Sequence, residues 1–296
     1  MSAHAVPYAG EGSLPVQESH AGRRAARVAG RAARYAVVAV ALLFFLFPIY
    51  WVTITAFKLP AEFMRNPPVW FPAEPTLIQF ETAMRMKGWQ ALRNSVIVAS
   101  SATVLAMAIG GFAAYALARF RTGGRHFGFW LISQRMMPPV VLVIPMFLVF
   151  RTLGWLDTRH GLIALYTVLN LPYVVWMLRS YIAGLPLEIE ESALVDGTTR
   201  FDVLWRITLP LTLPGIIATA TFAFIFAWTE FLFAVVLTRT SAFTLPVTIS
   251  GFFGSQGSAY GQAASLAVVA TLPIFVLGLL VQRHFVRGLT LGAVRG

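Results

Sequence analysis

Six long apolar stretches set the pattern of this chain. They run over about 34–57, 94–118, 128–151, 161–182, 214–237 and 261–282. Each is long enough to cross the ~30 Å hydrocarbon layer of a bilayer as a helix. Runs of this length predict an all-α polytopic membrane protein with six transmembrane helices. Polar segments separate them. Residues 1–32 form a polar, then basic, tail; 33–285 form the six-span domain; 286–296 form a short C-terminal tail. Residues 58–93 read as a polar loop punctuated by Pro60, Pro67, Pro68, Pro72 and Pro75.

Detail within the stretches sharpens the picture. Ala102, Ala106, Gly110, Ala114 and Ala118 recur every four residues. That spacing makes a small-residue seam on one helix face, which lets a neighbouring helix approach closely. The third stretch is interrupted by Pro138, Pro139 and Pro145. Carbonyls freed by proline are tolerated in a membrane only beside a cavity or another helix, which favours a path-lining place for Pro138 and Pro139.

Composition agrees with the pattern. The chain is 57% hydrophobic and 12% charged, with mean hydropathy +0.71. A soluble domain would carry about twice that charged fraction. The net charge of +11 would suggest nucleic acid in a soluble protein; here the positive-inside rule accounts for it. With the N-terminus inside, inner segments hold 14 of the 23 Lys and Arg and outer segments 8, and Arg135 lies within a span. Both termini are therefore expected in the cytoplasm, with the multi-pass chain in the cell (inner) membrane. The absence of cysteine excludes disulfides and thiolate metal sites. The five histidines are scattered, so neither a metal site nor a catalytic set is expected.

One segment breaks the apolar pattern. Residues 185–213, between the fourth and fifth stretches, hold five of the twelve acids: Glu188, Glu190, Glu191, Asp196 and Asp202. Pro186 suits a helix start, and acids in the first turn complement the helix dipole. Gly197 can close that helix in the left-handed conformation. Thr199 with Asp202 resembles a capping box and predicts a second helix, ending before Pro210. The expectation is a cytoplasmic helix–turn–helix. A helix lying on anionic lipid would prefer Lys and Arg. This one is acidic and partly apolar, so the groove of a partner protein is favoured.

The run E-E-S-A-L-V-D-G followed by I-T-L-P-L-T-L-P-G resembles the "EAA" loop of ABC importer permeases. The matching positions are Glu191, Ser192 (in place of the first Ala), Ala193, Gly197, Leu209 and Pro210. The segments M-M-P-P-V-V-L-V-I-P, W-T-E-F-L-F-A-V-V-L-T and G-L-T-L-G-A-V-R-G are similar to carbohydrate-uptake permeases of the maltose-transporter MalG type. Thr229 stands where those usually have Asn. The resemblance implies a binding-protein-dependent importer for a sugar or polyol. This chain would pair with a second permease, two ATP-binding-cassette ATPase subunits and an extracytoplasmic substrate-binding protein, with lipid around it and no nucleic acid. The coupling residues it implies are Glu190, Glu191, Ser192, Ala193, Asp196, Gly197, Leu209 and Pro210. ATP and Mg would sit on the partner ATPase: this chain has no G-x-x-x-x-G-K-[ST], and neither a cofactor nor enzymatic activity of its own is expected.

Charged and polar residues inside the spans are candidates for the path. Glu230 is the one acid within a stretch. Two readings stand: it faces the path and bonds sugar hydroxyls, or it makes a structural hydrogen bond. Arg135 either snorkels to the inner interface or lines the path beside Gln134. Counted along the helices, the two lie about 12 Å apart in depth, so no direct pair is expected. Trp228, Tyr173, Trp176 and Asn170 could stack on or bond to a sugar ring; packing or an interfacial belt is the plainer role for the aromatic residues. An ion- or proton-coupled carrier is the rival function. It would need a relay of intramembrane acids or histidines, and one Glu is thin support.

Overall fold

The computed structural model describes residues 20–120, 123–253 and 259–293. The first 19 residues of the basic tail, the Gly/Ser-rich segment 254–258 and the last three residues lie outside them, as do the side chains of Arg23, Arg24 and Arg27. Among the described residues the regular elements are all helical. The chain divides into two units, Met1–Trp51 and Val52–Gly296. The first is most of helix α1, His20–Ala56, whose apolar side chains such as Leu43, Phe44 and Phe45 are exposed.

The second unit holds the rest. Helix α2 (Ile78–Ala83) passes through a π-turn at Met84–Gly88 into α3 (Trp89–Arg119). The polar loop expected over 58–93 is therefore shorter: no proline follows Pro75, and helix begins at Ile78. A Cβ at Gly88 would lie 2.8 Å from the Ala83 carbonyl oxygen, so only glycine fits this close turn. Helices α4 (Gly124–Ser133) and α5 (Pro139–Leu153) flank a 3₁₀ turn at Gln134–Met136. Residues His126–Met136 and Pro139–Leu153 are bent by 90° at the Pro138–Pro139 corner, as two consecutive prolines require. Helix α6 spans Arg159–Ala183 and starts at Thr158, whose hydroxyl caps the Gly161 N–H. The acidic segment forms α7 (Leu187–Val195), α8 (Arg200–Val203), a π-turn at Leu204–Thr208 and α9 (Leu209–Leu211). Helix α10 (Leu213–Trp228) leaves that run at 78°. After a break at 229–231 come α11 (Leu232–Leu237), α12 (Leu245–Phe253) and α13 (Tyr260–Ala293).

Among the described residues, four helices are long and apolar enough to cross a membrane, or up to six if each bent pair is one span. The core lies where α3 runs along α6. Ala102, Ala106, Gly110 and Ala114 are buried, and a Cβ on Gly110 would meet Val174 of α6 at 2.6 Å. The small-residue seam thus lets two backbones approach within side-chain depth. The helices run parallel: Asn94 meets Arg159 near their starts, and Gly110 meets Val174 further on.

Candidate functional site

The acidic segment packs on the C-terminal end of α3. The Gly197 backbone takes φ +86°. Behind it the Thr198 N–H and hydroxyl both donate to the Ala193 carbonyl, at 3.2 and 2.6 Å, closing α7. The Thr199 hydroxyl accepts from the Asp202 N–H at 3.2 Å and donates to its carboxylate at 2.6 Å. The helical run does not stop before Pro210, as the sequence suggested. The π-turn at Leu204–Thr208 lets it continue through Leu211, with Pro210 in the first turn of α9, where its missing N–H costs little.

The acids of this segment face two ways. Glu188, Glu191 and Asp196 are exposed, together with Ser192, Gly197 and Pro210, while Ala193 and Leu209 are half-buried. Val195 is 87% exposed at the end of α7. Glu190 turns inward and is only 5% exposed. Its carboxylate accepts from Arg119 Nε at 2.9 Å, Tyr115 Oη at 3.2 Å and Thr208 Oγ1 at 2.8 Å. Arg119 Nη2 lies 2.8 Å from the same Oε1. Helix α3 and the π-turn thus grip α7 through one ion.

A second constellation lies deeper in the bundle. A cavity of about 610 Å³ opens where the chain leaves α-helical geometry twice, at the 134–138 corner and at the 229–231 break. Gln134, Arg135, Asn170 and Glu230 all line it, beside Tyr166 and Phe226. Four of the path candidates are therefore brought together. Pro138 shapes the corner, and its neighbour Pro139 lines the cavity. Trp228 does not join them. It faces a recess of about 540 Å³ formed with α12 and α13, where its indole N–H donates to the Ala270 carbonyl at 3.0 Å.

The two charges in the cavity are held differently. Glu230 accepts from Tyr166 Oη at 2.6 Å and from the Phe233 and Ala234 N–H groups at 2.9 and 3.2 Å. It therefore caps the start of α11, so the structural role read from the sequence is present while the residue still lines the cavity. Arg135 lies over the rings of Tyr173 and Phe226, 5.7 and 5.0 Å from their centroids. Its cation rests on aromatic faces with its N–H groups free of acids among the described residues.

Sequence reasoning missed a third cluster, at the other end of α3 and α6. Asp157 has φ +56°, and its carboxylate accepts from the N–H groups of Arg239, Thr240, Ser241 and Ala242. The Thr240 hydroxyl adds a bond at 2.7 Å. Burial opposes the charge there, but these donors outweigh it and hold the carboxyl well below the usual carboxylate range. Asn94 donates to the carbonyls of Ser241 and Phe243 at 2.8 and 2.9 Å and accepts from Arg159 Nε at 2.7 Å. An aspartate in a W-L-D-T turn just ahead of a Thr cap was the one available signal.

Comparison with known proteins places this geometry. Residues 106–291 match the binding-protein-dependent transport system inner membrane component. The chain belongs to this family. The match takes in the acidic segment and the cavity-lining residues. Such permeases are membrane subunits of ABC importers that carry no ATP site of their own. The chain is 37% identical over 255 residues to the diacetylchitobiose uptake system permease DasC of Streptomyces coelicolor, covering 84% of this chain and 92% of that one. It is 34% identical to the trehalose/maltose transport system permease MalG of Thermococcus litoralis, covering 85% and 92%. The resemblance to carbohydrate-uptake permeases read from the sequence therefore stands. In fold the chain is similar to a subunit of a bacterial ABC transporter involved in alginate import, with TM-score 0.73 over 88% of this chain and 98% of that one, at 22% identity.

Proposed function

We propose that this chain is one of two permease subunits of an ATP-driven importer for a sugar or polyol, with six spans in the cell inner membrane. Both termini and the 185–213 loop lie in the cytoplasm. A second permease completes the path, two ATPase subunits bind ATP and Mg, and a substrate-binding protein delivers from outside. The observation that carries this reading is the two-sided acidic segment. Glu190 fastens it to α3, while Glu188, Glu191, Asp196 and Val195 are offered outward. An exposed acidic and apolar helix beside a membrane has little use for anionic lipid and suits a protein groove. The coupling contacts on this view are Glu191, Ser192, Ala193, Asp196 and Gly197, with Leu209 and Pro210 setting the exit into α10.

The cavity is proposed as this chain's share of the path. Non-helical backbone deep in a bundle is tolerated where it lines a cavity. The site offers Gln134, Arg135 and Asn170 as hydrogen-bonding groups beside the rings of Tyr166 and Phe226, a combination that suits polyhydroxylated ligands. A sugar or polyol is supported by the names of the relatives, which concern diacetylchitobiose and trehalose or maltose. An ion- or proton-coupled carrier finds less support, because the Glu230 carboxylate already accepts three hydrogen bonds.

The test is Val195→Asp in the complete transporter. Insertion should remain normal, while the ATPase subunits fail to co-purify and uptake is lost. Normal ATP-dependent uptake by this variant would remove the loop from the coupling role.

A further inference from the structure

Glu190 lies within the acidic segment, yet it cannot be a contact for any partner. Its side chain is 6% exposed and the Arg119 side chain 7%. Two other elements supply its three donors: Tyr115 and Arg119 on the last turns of α3, and Thr208 at the end of the π-turn. Tyr115 and Arg119 are four residues apart, so both lie on one face of α3. The neighbouring Glu191, about 100° round the helix, is exposed. One helix of nine residues thus carries an outward acid and an inward acid at consecutive positions.

Beyond this tie the packing is continuous. Helix α3 lies against α6 with Gly110 on Val174, and α6 carries Tyr166, whose hydroxyl holds Glu230 at the cavity. Apart from Glu190, the contacts between α7 and α3 are few. A displacement of α7 therefore reaches α3 chiefly through this buried ion pair, which is costly to break.

We infer that Glu190, with Arg119, Tyr115 and Thr208, is the positioning tie that delivers movement of the acidic segment to α3, and through α6 to the cavity. These residues touch neither substrate nor nucleotide. They set how much of a partner's movement becomes transport. The inference rests on the coupling role proposed above for the loop.

Coupling lost at such a tie differs from a folding defect in what it leaves intact. The experiment uses the complete transporter, with its partner permease, ATPase subunits and binding protein, reconstituted in vesicles. Two variants are compared: Glu190→Gln, which keeps shape and removes charge, and Thr208→Val, which removes one donor at near-constant volume. Both should assemble at the parent level and retain basal ATP hydrolysis. Uptake should fall about tenfold in Glu190→Gln and about threefold in Thr208→Val, a range expected of residues that modulate coupling between sites. ATP hydrolysed per substrate imported should rise in proportion. Exchanging the pair, Arg119→Glu with Glu190→Arg, should recover part of the uptake. An unchanged ratio of hydrolysis to uptake in both single variants overturns the tie, and so does loss of assembly in both, which would make the cluster a folding element alone. Val195→Asp separates this from the loop's own role. If that variant still assembles and transports, the coupling role has failed; if it loses the ATPase while Glu190→Gln transports normally, the tie alone has failed.

Discussion

Glu190 and Asp157 hold opposite ends of the α3–α6 pair, and they do so by opposite means. Glu190 is held by side chains: a guanidinium, a phenol and a threonine hydroxyl drawn from other elements. Asp157 is held mainly by successive backbone N–H groups of one segment, Arg239 to Ala242. A cage of backbone donors fixes a loop in one conformation, because the donors cannot swing away one by one. A side-chain pair joins separate helices and tolerates their rotation. On the proposed reading, the end bearing the outward-facing helix has a joint suited to transmitting motion, and the other end has a clasp that resists it.

The largest expected effect breaks the joint. Glu190→Ala strands the Arg119 cation in a buried site, at a cost of about 3–5 kcal/mol. The thermal midpoint of the purified complex should drop well below that of the parent. A change within error would mean that the pair is not buried in the assembly. The next effect breaks the clasp. Asp157→Ala removes hydrogen bonds to a charged acceptor worth about 1.5–3 kcal/mol each when buried, less here because Asp157 is only half-buried. Hydrogen exchange should quicken at residues 239–242 and stay unchanged at 187–195. Equal acceleration at both ends would erase the contrast.

Smaller effects sharpen it. Glu230→Gln keeps an oxygen for the Phe233 N–H but weakens the Tyr166 bond, and uptake should fall about fivefold with assembly intact, the equivalent of one hydrogen bond of about 1 kcal/mol. Loss of assembly would mark Glu230 as architecture only. The smallest effect concerns pH. The Asp157 carboxyl is depressed in the folded state. Its contribution is therefore complete above the unfolded value of about 3.9 and is lost as pH falls through the lower folded value. Exchange at 239–242, corrected for intrinsic rates, should not change between pH 7 and 5 and should quicken only below about pH 4. Loosening near pH 6 would contradict the caged carboxylate.

Much of this was legible because the signals are local. The apolar periods, Gly197, the Thr199–Asp202 cap and the excess of acids each act within a few residues. Arg135 and Glu230 stood out as charges in apolar runs, and both line the cavity. What was not legible depends on long-range contact. The inward turn of Glu190 depends on donors 71 and 75 residues away, and the Asp157 clasp on a segment 82 to 85 residues away. Tyr166 reads as one more aromatic in a span until Glu230, 64 residues on, is placed beside it. Trp228 was drawn toward the path by its residue type, while its N–H is spent on Ala270.

The central claim is that an exposed acidic segment on this chain couples a partner's ATP hydrolysis to passage through the bundle. Because the chain has no cysteine, Val195→Cys gives a single reactive thiol at the outermost point of α7. The most direct measurement is cross-linking from that thiol in the complete transporter reconstituted in vesicles, with sugar uptake recorded in the same sample. The account predicts a cross-link to the ATPase subunit, and uptake that requires ATP and ceases once the cross-link forms. Uptake that follows an ion gradient without ATP, with the thiol captured by no ATPase subunit, would contradict it.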